Sequence, residues 1–192
     1  MMTSEVWFYS ASAGCVPGYA MDGKQYMLKN LSNFFRVGSI LVPLTGLDGV
    51  TFTGMFPSVE HAIQAAKYLF LEGEARLDLV ARFVVGGEYG LLNGAAVLKK
   101  GRRIAMQEMS VALRVKAWDV AMPRIIRTCI EARAAVDAEF VRVCKSLVGQ
   151  GIRIRHYARM RFWRCKKTGA LKGVDHVGPV LEDIGAATLT HE

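Results

Sequence analysis

The chain has 192 residues, 52% hydrophobic and 22% charged, a composition that can bury a core and excludes disordered or fibrous sequences. No apolar run approaches the roughly 18–20 residues of a membrane helix, and Met1-Met2-Thr3-Ser4-Glu5 has neither the basic nor the apolar stretch of a secretory signal. The formal charge is +8, yet Phe140–Val174 alone holds ten Lys/Arg and no Asp/Glu, leaving 15 basic against 17 acidic residues elsewhere. One segment therefore carries the basicity and predicts a local positive surface for an anionic ligand.

Val6–Tyr9 reads as a short strand, and a Gly-rich irregular stretch follows to about Lys29. Ser39–Val42 and Val50–Phe52 are further strand candidates. Pro57-Ser58 then opens the clearest helix, Val59 to about Leu71, with Ser58 as N-cap, Glu60 in the first turn and Gly73 as a stop. Helices are expected over 75–85, 91–100, 103–115, 119–135 and 136–148, with Pro123 tolerated as part of a first turn. After Gly151 the pattern changes. Ile152–Tyr157 alternates as a half-exposed strand does, Arg161–Arg164 is extended, and Val177–Ile184 is a terminal helix. Many helices, a few short strands and no regular βαβ alternation indicate an α+β, predominantly helical single domain over 1–192.

The four cysteines, Cys15, Cys129, Cys144 and Cys165, form no C-x-x-C pair and no cluster with zinc spacing. Free thiols in a reducing cytoplasm are the expectation, with no metal and no cofactor.

On a helix, Glu60, Gln64 and Lys67 fall at i, i+4 and i+7 and line up an acid, an amide and an amine, while Val59, Ala62, Ile63 and Ala66 share another face. Spacing alone favours an ordinary solvent-exposed polar face for this stripe. The surrounding motifs point elsewhere. Leu31-Ser32-Asn33-Phe34 followed by Pro57-Ser58-Val59-Glu60-His61-x-x-Gln64-Ala65-x-Lys67 resembles the signature of the NADAR (YbiA-like) family, S-N-F then P-(S/T)-x-E-H-x-x-Q-A-x-K. Phe8-Tyr9-Ser10 resembles its opening strand, Gly101-Arg102 its G-R step and Trp118-Asp119 its W-(D/E). His156 lies seven residues before Trp163, and Gly173-x-Asp175-x-x-Gly178 resembles G-x-N-x-x-G. The resemblance spans about residues 6 to 185.

The resemblance implies the YbiA-like fold and hydrolysis of a ribose–nitrogen bond. The substrate implied is an ADP-ribose-type compound or a ribosylamino-pyrimidine phosphate, including ADP-ribosylated guanine in nucleic acid. Glu60 and Lys67 are the catalytic candidates: a carboxylate can offset charge at the anomeric carbon or move a proton, and an amine of lowered pKa can hold the opened sugar as a Schiff base. Asn33, Phe34, Gln64, Arg102, Trp118, Asp119, Trp163 and Asp175 are the substrate-binding candidates. The two tryptophans are either base-stacking platforms or core anchors, and Asn33 either binds a ribose hydroxyl or shapes a turn.

The sequence also departs from the family. Where D-x-x-W-G is usual it reads Met160-Arg161-Phe162-Trp163-Arg164, and Arg133-Ala134 replaces K-F. A lost carboxylate and added arginines leave a non-catalytic ADP-ribose- or nucleic-acid-binding module as the alternative, with the 140–174 segment meeting the polyanion.

Overall fold

The structure is a computed structural model, and it describes residues 5–9, 19–21, 24–26, 31–157, 162–165 and 167–189. Ser10, Cys15, Met160 and Arg161 lie outside them. Two compact units emerge, one from Met1–Ser32 with Asp137–Glu192, the other from Asn33–Val136.

In the first unit, strand β1 (Glu5–Tyr9) runs parallel to β6 (Arg153–Tyr157). The alternation seen in the sequence is that of the strands: Val6 and Phe8 on β1, and Ile154 and His156 on β6, are buried. Phe8 stands opposite His156, with ring centroids 4.9 Å apart. Helix α6 (Ala138–Gly149) packs on α7 (Gly178–Leu189), which also packs on β6. Strands β2 (Tyr19–Met21) and β3 (Lys24–Tyr26) form one antiparallel pair, and β7 (Phe162–Arg164) and β8 (Leu171–Gly173) another.

The second unit opens with the hairpin β4 (Ile40–Thr45) and β5 (Thr51–Phe56). Its turn is Leu47–Val50, closed by Val50 N–H donating to the Leu47 carbonyl at 3.0 Å. Asp48 (φ 54°, ψ 24°) and Gly49 (φ 76°) both take positive φ, the geometry of a type I′ turn. Ile40, Val42 and Leu44 point inward. Pro43 is accommodated because, among the described residues, β4 pairs with β5 alone and lies at a sheet edge.

Helix α1 (Val59–Ala66) starts where Ser58 caps it, its side chain accepting from His61 N–H. The expected continuation to Leu71 is replaced by a 3-10 turn at Lys67–Leu69. Tertiary pairing draws the chain off the helix: Leu71 bridges Leu113, Arg114 N–H donates to Phe70 O and Glu72 N–H to Ala112 O. The next helices are shorter than expected, α2 (Leu77–Ala81), α3 (Gly94–Lys100) and α4 (Arg103–Glu108). Helix α5 (Val115–Ala134) begins earlier than expected and places Pro123 inside it, not in its first turn. The proline gives up one bond of the helical ladder there. Tyr68, Phe83 and Tyr89 form an aromatic cluster, with successive centroids 5.5 and 5.0 Å apart. Among the described residues no helix is long and apolar enough to cross a membrane.

Candidate functional site

The polar stripe of α1 is not a solvent-facing surface. Every residue of α1 is buried, Glu60 at 5% and Gln64 at 3% exposure included. Two buried polar side chains at this spacing need partners, and they supply them to one another. Gln64 Nε2 donates to Glu60 Oε1 at 2.6 Å, and Lys67 Nζ donates to Gln64 Oε1 at 2.6 Å. The amide orientation follows from its neighbours: a carboxylate needs a donor and an ammonium an acceptor. Lys67 Nζ also donates to the Gly101 carbonyl at 3.1 Å and lies 5.7 Å from the centroid of the Trp118 ring. Lys67 is half-buried, so the series runs from an enclosed carboxyl to a partly exposed amine.

Burial raises the Glu60 carboxyl above its ordinary range, against the opposing pull of the Gln64 hydrogen bond and the Lys67 charge. Burial also raises the Cys129 thiol on α5, and the Glu60 charge adds to that shift. Gly101, which precedes α4, is packed so closely on Gln64 that a Cβ there would overlap the amide oxygen. A cavity of about 310 Å³ borders the site at Gly101, lined also by Glu72, Arg103, Met106, Gln107 and Val115.

His61 points away from this series. Its Nε2 lies 3.1 Å from the Leu92 carbonyl and its Nδ1 2.8 Å from Ser58 Oγ. A carbonyl only accepts, so Nε2 carries the proton and Nδ1 accepts from the Ser58 hydroxyl. Burial and the nearby Arg36 charge push its pKa down to about 4. His61 is thus a neutral structural residue tying α1 to the 90–92 segment. Arg36 binds the same segment through Leu92 O and Gly90 O at 2.9 and 3.0 Å.

The remaining sequence candidates divide. Asn33 is buried, and its carbonyl accepts from Glu60 N–H at 2.9 Å, so its main chain anchors the start of α1. Phe34 packs over Gly94, where a Cβ would meet Cδ2 of the ring at 2.7 Å. Trp118 is 3% exposed and packs edge-on against Phe70, centroids 5.6 Å apart, as a core anchor that also bounds Lys67. Arg102 and Asp119 are exposed.

Trp163 and Asp175 belong to the other unit. Trp163 stands in register with Lys172. The Asp175 carboxylate accepts from the main-chain N–H of His156, Val177 and Gly178 at 3.0, 3.0 and 2.9 Å, which caps α7. That is a structural task at the start of α7.

The positive surface expected from 140–174 is reduced in the same unit. Arg153 pairs with Glu182 (2.9 Å), Arg155 with Glu5 (3.4 Å) and Arg142 with Glu139. Glu5 and Glu182 lie far from the segment in sequence and return to it in the fold, while Glu139 borders it and pairs within one helix. The sequence named Gly101, Cys129 and Arg133 only as half of the G-R step, a thiol and a departure from K-F, and assigned none of them to the site. Arg133 is 1% exposed, with its guanidinium 5.3 Å from the Phe35 ring. The G-R dipeptide and the place of the usual K-F were the signals that could have drawn Gly101 and Arg133 into the site. Cys129, Cys144 and Cys165 are free thiols. Among the described residues no group of His, Cys, Asp and Glu gathers as a metal site.

No family model and no curated protein matches the sequence. The fold does match a solved structure. The NMR structure of the E. coli protein YbiA superposes with a TM-score of 0.57 over 100% of this chain and 88% of that chain, at 19% identity. The chain has the YbiA fold. The α+β class read from the sequence holds, and the resemblance to the NADAR (YbiA-like) family is supported at the level of the fold.

Proposed function

We propose that the protein, as a single domain over 1–192, is an N-glycosidase. It hydrolyses a ribose–nitrogen bond in an ADP-ribose-type or ribosylamino-pyrimidine phosphate substrate, with ADP-ribosylated guanine in nucleic acid among the candidates. The setting is cytoplasmic and the reaction uses no cofactor. The observation that carries the reading is the Glu60–Gln64–Lys67 series, which ends in a half-buried amine held by two acceptors. The YbiA fold is the support beside it.

In this reading Lys67 meets the sugar. Lys67 passes a proton to the departing base nitrogen, and its freed lone pair attacks the anomeric carbon as the bond to that nitrogen breaks, so the base leaves protonated. Ring opening gives an imine, which water hydrolyses to release the ribose phosphate and restore the amine. Glu60 lies behind Gln64 and acts through it. The raised carboxyl can hold or release a proton as the charge on Lys67 changes.

The replacement of the family's aspartate and glycine by Met160 and Arg164 favours a second reading, a non-catalytic module that binds ADP-ribose or nucleic acid. Incubation with ADP-ribosylated DNA, NAD and ribosylamino-pyrimidine phosphates in parallel separates the two. The proposal expects ribose phosphate or ADP-ribose release from one of them. Saturable binding of ADP-ribose without release from any of them supports the module instead.

A further inference from the structure

The notable feature at Lys67 is how its nitrogen is held. A neutral amine has two N–H bonds and one lone pair. Two acceptors converge on Lys67 Nζ, the Gln64 amide oxygen at 2.6 Å and the Gly101 carbonyl at 3.1 Å. Together they can take both N–H bonds and so fix the direction of the lone pair. Neither acceptor is free to turn. Gln64 is locked by its own donor bond to Glu60 Oε1 at 2.6 Å. The Gly101 carbonyl is part of the main chain leading into α4, where Met106 N–H donates to Arg102 O at 3.1 Å.

The contact between the two acceptors is equally specific. Gly101 is buried, and a Cβ on it would overlap Oε1 of Gln64 and lie 3.2 Å from its Cβ. Its φ is −90°, a value open to any residue, so backbone conformation does not demand a glycine here. Close approach to the amide does. A side chain at 101 would push the Gln64 carboxamide off both the carboxyl and the amine.

We infer that Gly101 and Gln64 are positioning residues for Lys67: the bare α-carbon at 101 admits the Gln64 amide, and the two carbonyl oxygens aim the amine at an incoming carbonyl or anomeric carbon. This rests on the reading of Lys67 as the group that meets the sugar. It assigns Gln64 a task other than direct substrate binding.

The test uses ribose 5-phosphate as the probe. Its open-chain aldehyde condenses with an amine to an imine and water, and cyanoborohydride reduces the imine to a stable secondary amine. Peptide mass spectrometry then reads the labelling rate at Lys67 against the exposed Lys99 and Lys116 in the same sample. The expected result is a Lys67 rate at least about tenfold above the reference lysines in the unaltered protein. Gly101→Ala and Gln64→Leu should each bring it down to the reference rate, with Lys99 and Lys116 unchanged. Should the alanine variant fail to fold, Gln64→Leu carries the test alone, since leucine keeps the bulk and removes the acceptor.

Folded variants that retain a fast Lys67 overturn the inference. So does an unaltered protein whose Lys67 is no faster than Lys116. A fast Lys67 that both variants slow, in a protein that hydrolyses no ribosyl substrate, upholds the positioning and overturns the glycosidase reading instead.

Discussion

At the scale of single residues, Glu60 is the informative one. Its carboxyl is buried, and burial raises its pKa. A carboxyl whose folded pKa lies above its unfolded value adds stability below the unfolded pKa and loses it as pH rises through the folded one. At neutral pH the folded protein therefore bears a cost that an amide does not. Glu60→Gln should raise Tm by about 2–4 °C at pH 7 and by less at pH 4.5, while cutting the rate of hydrolysis, because an amide cannot exchange a proton. Thermal unfolding at the two pH values checks this, and a variant less stable at pH 7 than the unaltered protein contradicts it. The alignment of Glu60, Gln64 and Lys67 was legible from helical spacing alone. Their burial was not, because a polar stripe on one helix looks like a surface until the elements around it are known. Gly101 lies 34 residues from Lys67 along the chain, beyond the reach of any local pattern.

Among the elements, α1 shows how closely the site depends on its first turn. Ser58 caps the helix through the His61 N–H and donates its hydroxyl to His61 Nδ1. Ser58→Ala removes both and leaves a buried acceptor without its donor, a loss of about 2–3 kcal/mol. The midpoint of urea unfolding should fall accordingly, and an unchanged midpoint refutes the assignment. The start of α1 was legible because a cap is a local signal. Its end was not, because the pairing of Leu71 with Leu113 is non-local. The same distinction explains the strands. Asp48-Gly49 is a local hairpin signal that joins two of the strand candidates, whereas the parallel pairing of β1 with β6 joins the two ends of the sequence.

For the molecule as a whole, each unit holds one buried histidine with a lowered pKa among the described residues. Burial takes both His61 and His156 to about 4, the Asp175 charge opposing the shift at His156. A histidine whose folded pKa is depressed contributes stability above its unfolded value, near 6.5, and loses it as pH falls toward the folded value. Each shift is worth at most about 3 kcal/mol. In the Glu60→Gln variant, which lacks the opposing contribution of the Glu60 carboxyl, stability should be level from pH 8 to 7, then decline between pH 6.5 and 4. Denaturant titrations across that range measure it, and a curve flat from pH 7 to 5 contradicts the placement of both rings. The fold class was visible in the sequence because it follows from counts of helices and strands. The balance of charge was not, because Glu5 and Glu182 reach the basic segment only on folding.

As the group proposed to meet the sugar, Lys67 does chemistry that its charge alone cannot do. Lys67→Arg keeps the positive charge and most of the reach, but a guanidinium stays protonated near neutral pH and forms no imine with the sugar. Single-turnover kinetics on whichever ribosyl substrate the unaltered protein cleaves, together with the affinity of the variant for that substrate, measure the claim directly. Retained binding and a loss of at least about a hundredfold in hydrolysis are expected. An arginine variant that turns over at the unaltered rate contradicts it and leaves Lys67 as a charge clamp beside a water-driven reaction.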